Sequence, residues 1–187
     1  MSSKSYQTAY AHLIAKILSC WVTAVFFCFG KKPTMLITAD FQNYLDYFKA
    51  WAEAQELFFL YGGVELGIQY ATSKPDFSYP FIWLEQPEII SEDNGAGQLI
   101  EAYYGGISVI NSAPLDDRAA QVQAEVDAMR LLQGLQKKMR LDNRHKGTLD
   151  CTISGMKKTA VDRGWAGSHW GWRLEFELRF TANGLLS

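Results

Sequence analysis

The 187-residue sequence has few of the residues that build disulfide-bonded or metal-binding domains. It contains three cysteines, three histidines and five prolines. Three cysteines do not make a disulfide scaffold, and the histidines, at positions 12, 145 and 169, share no ligand spacing with them. The formal net charge of −2 excludes the basic footprint of a non-specific nucleic-acid-binding protein. Because 48% of the residues are hydrophobic, the chain can form a substantial core, which excludes wholesale disorder.

Motifs for enzymatic chemistry are also missing. The segment Gly155-Met156-Lys157-Lys158-Thr159 lacks the second glycine of a phosphate-binding loop. Gly95-Ala96-Gly97 leads into a predicted strand, whereas a dinucleotide-binding fold needs a helix there. Cys151 could act as a nucleophile with a histidine, but a packed core thiol is the simpler interpretation. We therefore expect a protein that is not an enzyme and that needs no metal or cofactor.

The first 34 residues differ from the rest, since they contain four lysines and no acidic residue. Ile17–Gly30 is an uncharged, mostly apolar run that would rise roughly 21 Å as a helix, short of the ~30 Å hydrocarbon core of a membrane. A signal peptide is disfavoured by Cys28-Phe29-Gly30, which is a poor cleavage site. A lipoprotein signal, a membrane anchor and a hydrophobic leader or extra helix stay open. We favour the last, and so predict an appendage over 1–34, a single domain over 35–187 and no membrane association.

Hydrophobic periodicity places two helices and five strands in the domain. Apolar residues at three- and four-residue steps predict a helix over Asp40–Glu56 and a long one after Asp116. The apolar face of the second helix is predicted to comprise Leu115, Ala119, Val122, Val126, Met129, Leu132, Leu135 and Met139. The strands are predicted over Leu57–Tyr70, Pro80–Leu84, Leu99–Ile110, Thr148–Ser154 and Trp172–Phe180. Ser91–Gly97 is predicted to be an exposed acidic loop, and Gly155–Gly171 a long loop.

The last strand shows the strictest alternation in the sequence. Apolar residues at every second position from Trp172 to Phe180 interleave with Arg173, Glu175, Glu177 and Arg179. Such a strand has one buried face and one charged face that is solvated or turned to a partner. Strands adjacent in sequence favour antiparallel pairing. We predict an α+β fold with a mostly antiparallel sheet, two helices packed on one face and the order α-β-β-β-α-β-β, besides the N-terminal appendage.

Two glycine-containing features have more than one interpretation. The doublets in Tyr61-Gly62-Gly63 and Tyr104-Gly105-Gly106 favour β-bulges or sharp bends. The segment Gly164–Trp172 holds three tryptophans, which could fold over the edge of the core, anchor a protein interface, or stack on a sugar or single-stranded nucleic acid. The residues that we select as a candidate protein interface are Trp165, His169, Trp170, Arg173, Glu175 and Glu177.

These features together resemble the tail terminator (tail completion) proteins of long-tailed bacteriophages. The resemblance covers about residues 35–182. It is carried by the opening helix Asp40–Glu56, the strand entry Tyr79-Pro80-Phe81-Ile82, the strand Tyr104–Ile110, the helix start Pro114-Leu115-Asp116-Asp117 and the closing strand Gly171–Phe180.

The resemblance implies a structural role in the virion. A tail terminator forms a ring, here expected to be a hexamer, that caps the tail tube, stops its polymerisation and joins it to the head-side connector. The implied partners are other copies of the chain, the tail tube protein and the head–tail connector protein, with no specific nucleic-acid binding. The implied location is the tail or neck of the virion, reached from the host cytoplasm during assembly. A small-ligand or carbohydrate-binding module that uses the tryptophan-rich segment, or a membrane-anchored soluble domain, are the alternatives.

Overall fold

The computed structural model describes residues 39–63, 78–144, 149–161 and 169–183. In chain order the elements are α1 (Phe41–Ala54), β1 (Phe58–Tyr61), β2 (Phe81–Leu84), β3 (Glu88–Asp93), β4 (Leu99–Ser112), α2 (Arg118–Arg144), β5 (Thr152–Ala160) and β6 (His169–Thr181). This is an α+β fold, as predicted. The predicted appendage over 1–34, the predicted strand beyond residue 63 and Trp165 lie outside the described residues.

The six strands form one sheet in the order β1-β2-β4-β6-β5, with β3 paired to β4 alongside β2. All described pairs are antiparallel except β1 with β2. The 14-residue β4 is the axis of the sheet: β6 pairs with it from Ile100 to Ser112, whereas β2 and β3 share its opposite side. The mostly antiparallel sheet of the prediction is therefore confirmed.

The first helix forms where the sequence predicts it and ends two residues early. Asp40 caps it, because its Oδ1 accepts a hydrogen bond of 2.8 Å from the backbone N–H of Gln42. Glu56 then takes a left-handed conformation with φ 57°, which stops the helix before the strand. The buried side of α1 is aromatic and lies on the sheet: Tyr44, Tyr47, Phe48 and Trp51.

Both helices pack on the same side of the sheet, here named the inner face. Its strand residues are those predicted from the alternation, with Leu174, Phe176, Leu178 and Phe180 all at most 3% exposed. Phe176 stacks on Phe48 of α1 with 5.2 Å between ring centroids. Each such large apolar side chain stabilises the fold by roughly 1.5–3 kcal/mol when it leaves water.

The opposite side of the sheet, the outer face, divides into two halves. Near β1 and β2 it carries a small apolar cluster of Leu60, Phe81, Trp83 and Ile110. Along the rest of β6 it carries the predicted charges, at Arg173, Glu175, Glu177 and Arg179. Helices cover the inner face only, so the charged half of the outer face is not covered by any described element.

The bulge predicted at Gly105-Gly106 is absent on the β6 side, where the register runs without a shift through both residues. On the other side of β4 the register shifts by one residue, because Leu84 lies opposite Ile107 and Glu88 lies opposite Tyr104. Each glycine also leaves room for a side chain on its own face of the sheet. A Cβ on Gly105 would stand 2.6 Å from Tyr44 Oη, and one on Gly106 would stand 2.5 Å from Glu85 Oε2. Gly62, with φ 143°, does mark the end of β1.

Two predicted loops are partly strand. The first half of the predicted acidic loop is β3, an additional strand, so the order is α-β-β-β-β-α-β-β. Strand β5 runs from Thr152 to Ala160 rather than ending at Ser154, and β6 begins at His169, so the predicted loop over Gly155–Gly171 is strand at both ends. Both β3 and β5 lie at sheet edges with polar residues on both faces, which removes the two-residue hydrophobic period that marks a half-buried strand.

The apolar face predicted for the second helix is correct only in the C-terminal half of α2. Leu132, Leu135 and Met139 are buried against the sheet. In the N-terminal half the buried residues are Gln121, Ala124 and Ala128 instead. Val122 and Val126 are turned away from the sheet, because the bulky Trp170 of β6 packs against Ala124 and requires a small side chain there.

Candidate interaction surfaces

The charged half of the outer face is organised by Arg173. Its Nε donates to Glu85 Oε1 at 2.6 Å and its Nη2 donates to Glu85 Oε2 at 2.7 Å, so the guanidinium grips the carboxylate with two parallel hydrogen bonds. Nη1 of Arg173 also donates to Glu175. The hydrogen bonds that Arg173 donates to Glu85 raise the pKa of its guanidinium. Gly106 lies directly beneath this pair and leaves the space that it fills.

A second cluster surrounds Glu177. Its carboxylate accepts a hydrogen bond of 2.7 Å from Ser154 Oγ on β5 and one of 3.0 Å from Arg179 Nη1. Arg179 also pairs with Glu92 on β3. The hydrogen bond from Ser154, followed by that from Arg179, lowers the pKa of Glu177. Polar contacts on the outer face thus link β6 to β5 and to β3, and to Glu85, which directly follows β2.

An open pocket of about 380 Å³ lies between these clusters. Its charged lining comprises Glu85, Glu88, Arg173, Glu175 and Glu177. The pocket is rich in carboxylates, but no group of three or more metal-ligating side chains occurs in the described parts of the chain. The only cation in its wall, Arg173, is held by two of the carboxylates. The chemistry of the pocket is therefore that of a salt-bridged surface.

Two of the residues predicted for an interface lie inside the domain. Trp170 is 6% exposed and packs with Ala113 and Ala124. His169 is 8% exposed, and its Nε2 lies 2.5 Å from Tyr79 Oη. Of the interpretations weighed for the tryptophan-rich segment, folding over the edge of the core is the one that describes Trp170. Trp170 belongs to β6 and not to the loop predicted over Gly155–Gly171.

The remaining predicted interface residues lie together. Arg173, Glu175 and Glu177 share the outer face with two-residue spacing, whereas His169 and Trp170 lie at the opposite end of the same strand. Their partner Ser154 comes from β5, and their partner Glu85 from the connection between β2 and β3. The sequence gives no signal for these partners, since the cross-strand register decides which side chains meet.

Cys151, the thiol considered as a nucleophile, is half-buried beside the core. Burial, together with the nearby Asp150, raises the pKa of its thiol to about 12. A thiol with so high a pKa is almost wholly protonated at neutral pH, and the thiolate is the reactive form. Cys151 therefore acts in packing here.

The third surface is an apolar stripe along the N-terminal half of α2, formed by Leu115, Val122 and Val126. Leu115, just before the helix, is 69% exposed, and Val122 and Val126, one turn apart, are 43% and 38% exposed. These are the residues that the hydrophobic pattern assigned to the core. No described element covers them.

Comparison with known proteins adds no relative: no family model matches the chain, and no match was found among curated proteins. Neither α1 nor α2, the two helices described, combines the length and the hydrophobicity that crossing a bilayer demands.

Proposed function

We propose that this chain is a structural protein of a bacteriophage tail, which forms a ring on the end of the tail tube, stops its growth and joins it to the head-side connector. The proposal combines the resemblance of residues 35–182 with surfaces that suit protein contact. Its localisation would then be the virion, with assembly in the host cytoplasm.

The observation that carries the proposal is the α2 stripe. Leu115 is 69% exposed, and Val122 and Val126, one turn apart on α2, are 43% and 38% exposed. Neighbouring exposed apolar side chains such as these two valines are typical of surfaces that contact another protein. A ring that caps a tube needs such a contact in addition to the contacts between its own subunits.

The difference between the two sides of the domain supports the same function. The stripe lies in the helical layer, whereas the outer face of the sheet carries the salt bridges of Arg173 and Arg179. A cap must bind the tube on one side and the connector on the other, and two sides of different chemistry can serve two different partners.

The proposal predicts a gene for a tail tube protein beside that of this chain, and the product of that gene is the partner in the test. Purified tube protein is polymerised with and without the full chain, and tube lengths are measured by electron microscopy. We expect the chain to bind tube ends and to stop elongation. Tubes that grow equally long with the chain present, with no chain on their ends, would contradict the proposal.

A matched pair of variants connects this activity to the stripe. Val122→Ser with Val126→Ser removes two exposed apolar side chains, and we expect tube capping to weaken while the melting temperature changes little. Gln123→Ser, on the exposed side of the same helix, is the control. Equal capping by both variants would show that the stripe is not the contact.

The sugar-binding alternative gains no specific support from the described residues. Trp170 is buried and Trp172 packs partly buried against the core, so neither offers an open ring face for stacking.

A further inference from the structure

Among the described strands, the sheet ends at β1 and β3 on one side and at β5 on the other. Strand β3 pairs only with β4, and β5 pairs only with β6, among the strands described. Five of the six residues of β3 are exposed, including Ile89 and Ile90, each 42% exposed. A long edge strand with exposed isoleucines is a template for pairing with another strand.

The two edges carry opposite charge. Strand β3 contains Glu88, Glu92 and Asp93 and no basic residue, whereas β5 contains Lys157 and Lys158 and no acidic residue. If two copies joined through the same edge, like charges would face each other, which destabilises cross-strand pairs. Joining β3 of one copy to β5 of the next places opposite charges together.

The strand directions agree with this arrangement. Both β3 and β6 run antiparallel to β4, and β5 runs antiparallel to β6. Strands β3 and β5 therefore point in opposite directions within one subunit. When a second copy is placed beside the first with its strands in the same orientation, its β3 meets β5 in the antiparallel sense.

The register of the outer face brings one pair of charges close. Glu88 of β3 lies opposite Tyr104 of β4. Lys157 of β5 lies opposite Glu175 of β6, which in turn lies opposite Gly106 of β4. The side chains of Glu88 and Lys157 are therefore on the same face of the sheet. Along the strand direction they are offset by the two residues from Tyr104 to Gly106, about 7 Å. A stagger of this kind is what a sheet needs when it closes on itself. Lys157 is 67% exposed, and its nearest acid, Glu175, is 4.0 Å away.

We propose that β3 of one copy pairs with β5 of the next, so that the sheet continues from subunit to subunit with Glu88 beside Lys157. This inference rests on the ring proposed above and names its subunit interface. The contact is head-to-tail, with a different surface on each partner, and such contacts close into rings when the rotation between subunits allows it.

The test uses two charge reversals in the full chain, Glu88→Lys and Lys157→Glu, with molar mass followed by light scattering over a range of concentrations. Each variant alone faces like charges at every junction, and we expect its assembly to need roughly tenfold more protein than wild type. Glu56→Lys and Lys137→Glu, which reverse exposed charges away from both edges, are the controls and should assemble as wild type does.

Mixing the two variants gives the decisive result. In an alternating assembly the mixture places Glu88 against Lys157 at one junction and the reversed pair at the next, so we expect assembly to recover. Failure of both the mixture and the Glu88→Lys/Lys157→Glu double variant to recover, while wild type assembles, would overturn the edge pairing. A wild-type chain that stays monomeric at every concentration would also overturn it.

The tube assay separates this inference from the proposed function. If the single reversals weaken assembly and the mixture restores it, but no variant or wild-type chain caps a tube, the tail function is rejected and the edge pairing stands. If the chain caps tubes but the charge-reversed variants assemble as wild type does, the edge pairing is rejected and the tail function stands.

Discussion

The two faces of the sheet show how one strand can serve two purposes. On its inner side β6 presents Leu174, Phe176, Leu178 and Phe180 to the two helices, all buried. On its outer side the same strand presents four charged residues, each about a fifth to a third exposed. The inner residues hold the fold together, whereas the outer ones are free to suit a surface, because exposed ion pairs contribute at most about 1 kcal/mol each.

The largest loss of stability is expected when a charge is placed on the inner face. Phe176→Asp removes a ring stacked on Phe48 and buries a carboxylate without a partner. Together these changes should lower the free energy of unfolding by about 5 kcal/mol or more. We expect loss of solubility and of a cooperative melting transition. Glu175→Ala, one residue away on the outer face, should melt within a few degrees of wild type. Equal stability of the two variants would contradict the assignment of the faces.

The next largest effect is expected at high pH, which should destabilise the inner face. Burial raises the pKa of Tyr44, Tyr47 and Tyr103 above the usual value near 10, and that of Tyr103 reaches about 12. Folding therefore favours the neutral phenols, so their contribution is complete below about pH 10 and is lost as the pH rises beyond it. At pH 11 the loss is roughly 1 kcal/mol for each tyrosine. Denaturant titrations between pH 8 and pH 11 measure it, and Tyr47→Phe should reduce the slope.

The glycine doublet allows a comparison at adjacent positions. Gly105→Ala directs a methyl group into Tyr44 Oη and the Phe176 ring, which are fixed in the core, and should cost about 1–3 kcal/mol. Gly106→Ala directs it into the ends of the Glu85 and Arg173 side chains, which can move, and should cost less than about 1 kcal/mol. Unfolding free energies of the two variants give the answer. A larger loss for Gly106→Ala would mean that the outer salt bridge is the more rigid of the two environments.

A similarly small effect is expected from the outer salt bridges. Arg173→Ala breaks the two-bond contact with Glu85, whose side chain is 23% exposed, and should cost about 1 kcal/mol, and less at high salt. Melting curves in low and high salt test this. A loss as large as that of Phe176→Asp, with no change in salt, would show that the network is part of the core.

The sequence predicts those parts of the fold that depend on one strong period. Strand β6 has it, and its buried face is correctly predicted. In α1 the period correctly predicts the burial of Tyr44, Phe48 and Trp51 but misses Tyr47. Strand β3 was missed because Glu88–Asp93 shows no alternation, and the N-terminal half of α2 was assigned the wrong face because Val122 and Val126 are more hydrophobic than Ala124 and Ala128. There, the fit of small residues against Trp170 outweighs hydrophobicity.

The surfaces were less predictable than the core. Arg173, Glu175 and Glu177 were identified from their alternation, but their partners Glu85 and Ser154 depend on a register that local patterns do not contain. The burial of Trp170 was hard to predict for a related reason, since a tryptophan among glycines has the same local sequence whether it packs on a core or projects into water. Only the pairing of Trp170 with Asn111 on β4 fixes it on the helix side.

If β3 of one copy pairs with β5 of the next, as proposed, assembly changes these two edge strands and leaves the interior of the domain unchanged. Hydrogen exchange of the full chain, measured at low and high concentration, tests it most directly. We expect alternate amides in Glu88–Asp93 and in Thr152–Ala160 to become protected as the concentration rises, with β4 and β6 protected throughout. Protection that appears in α2 alone, or in neither edge strand once the molar mass has risen, would contradict the claim.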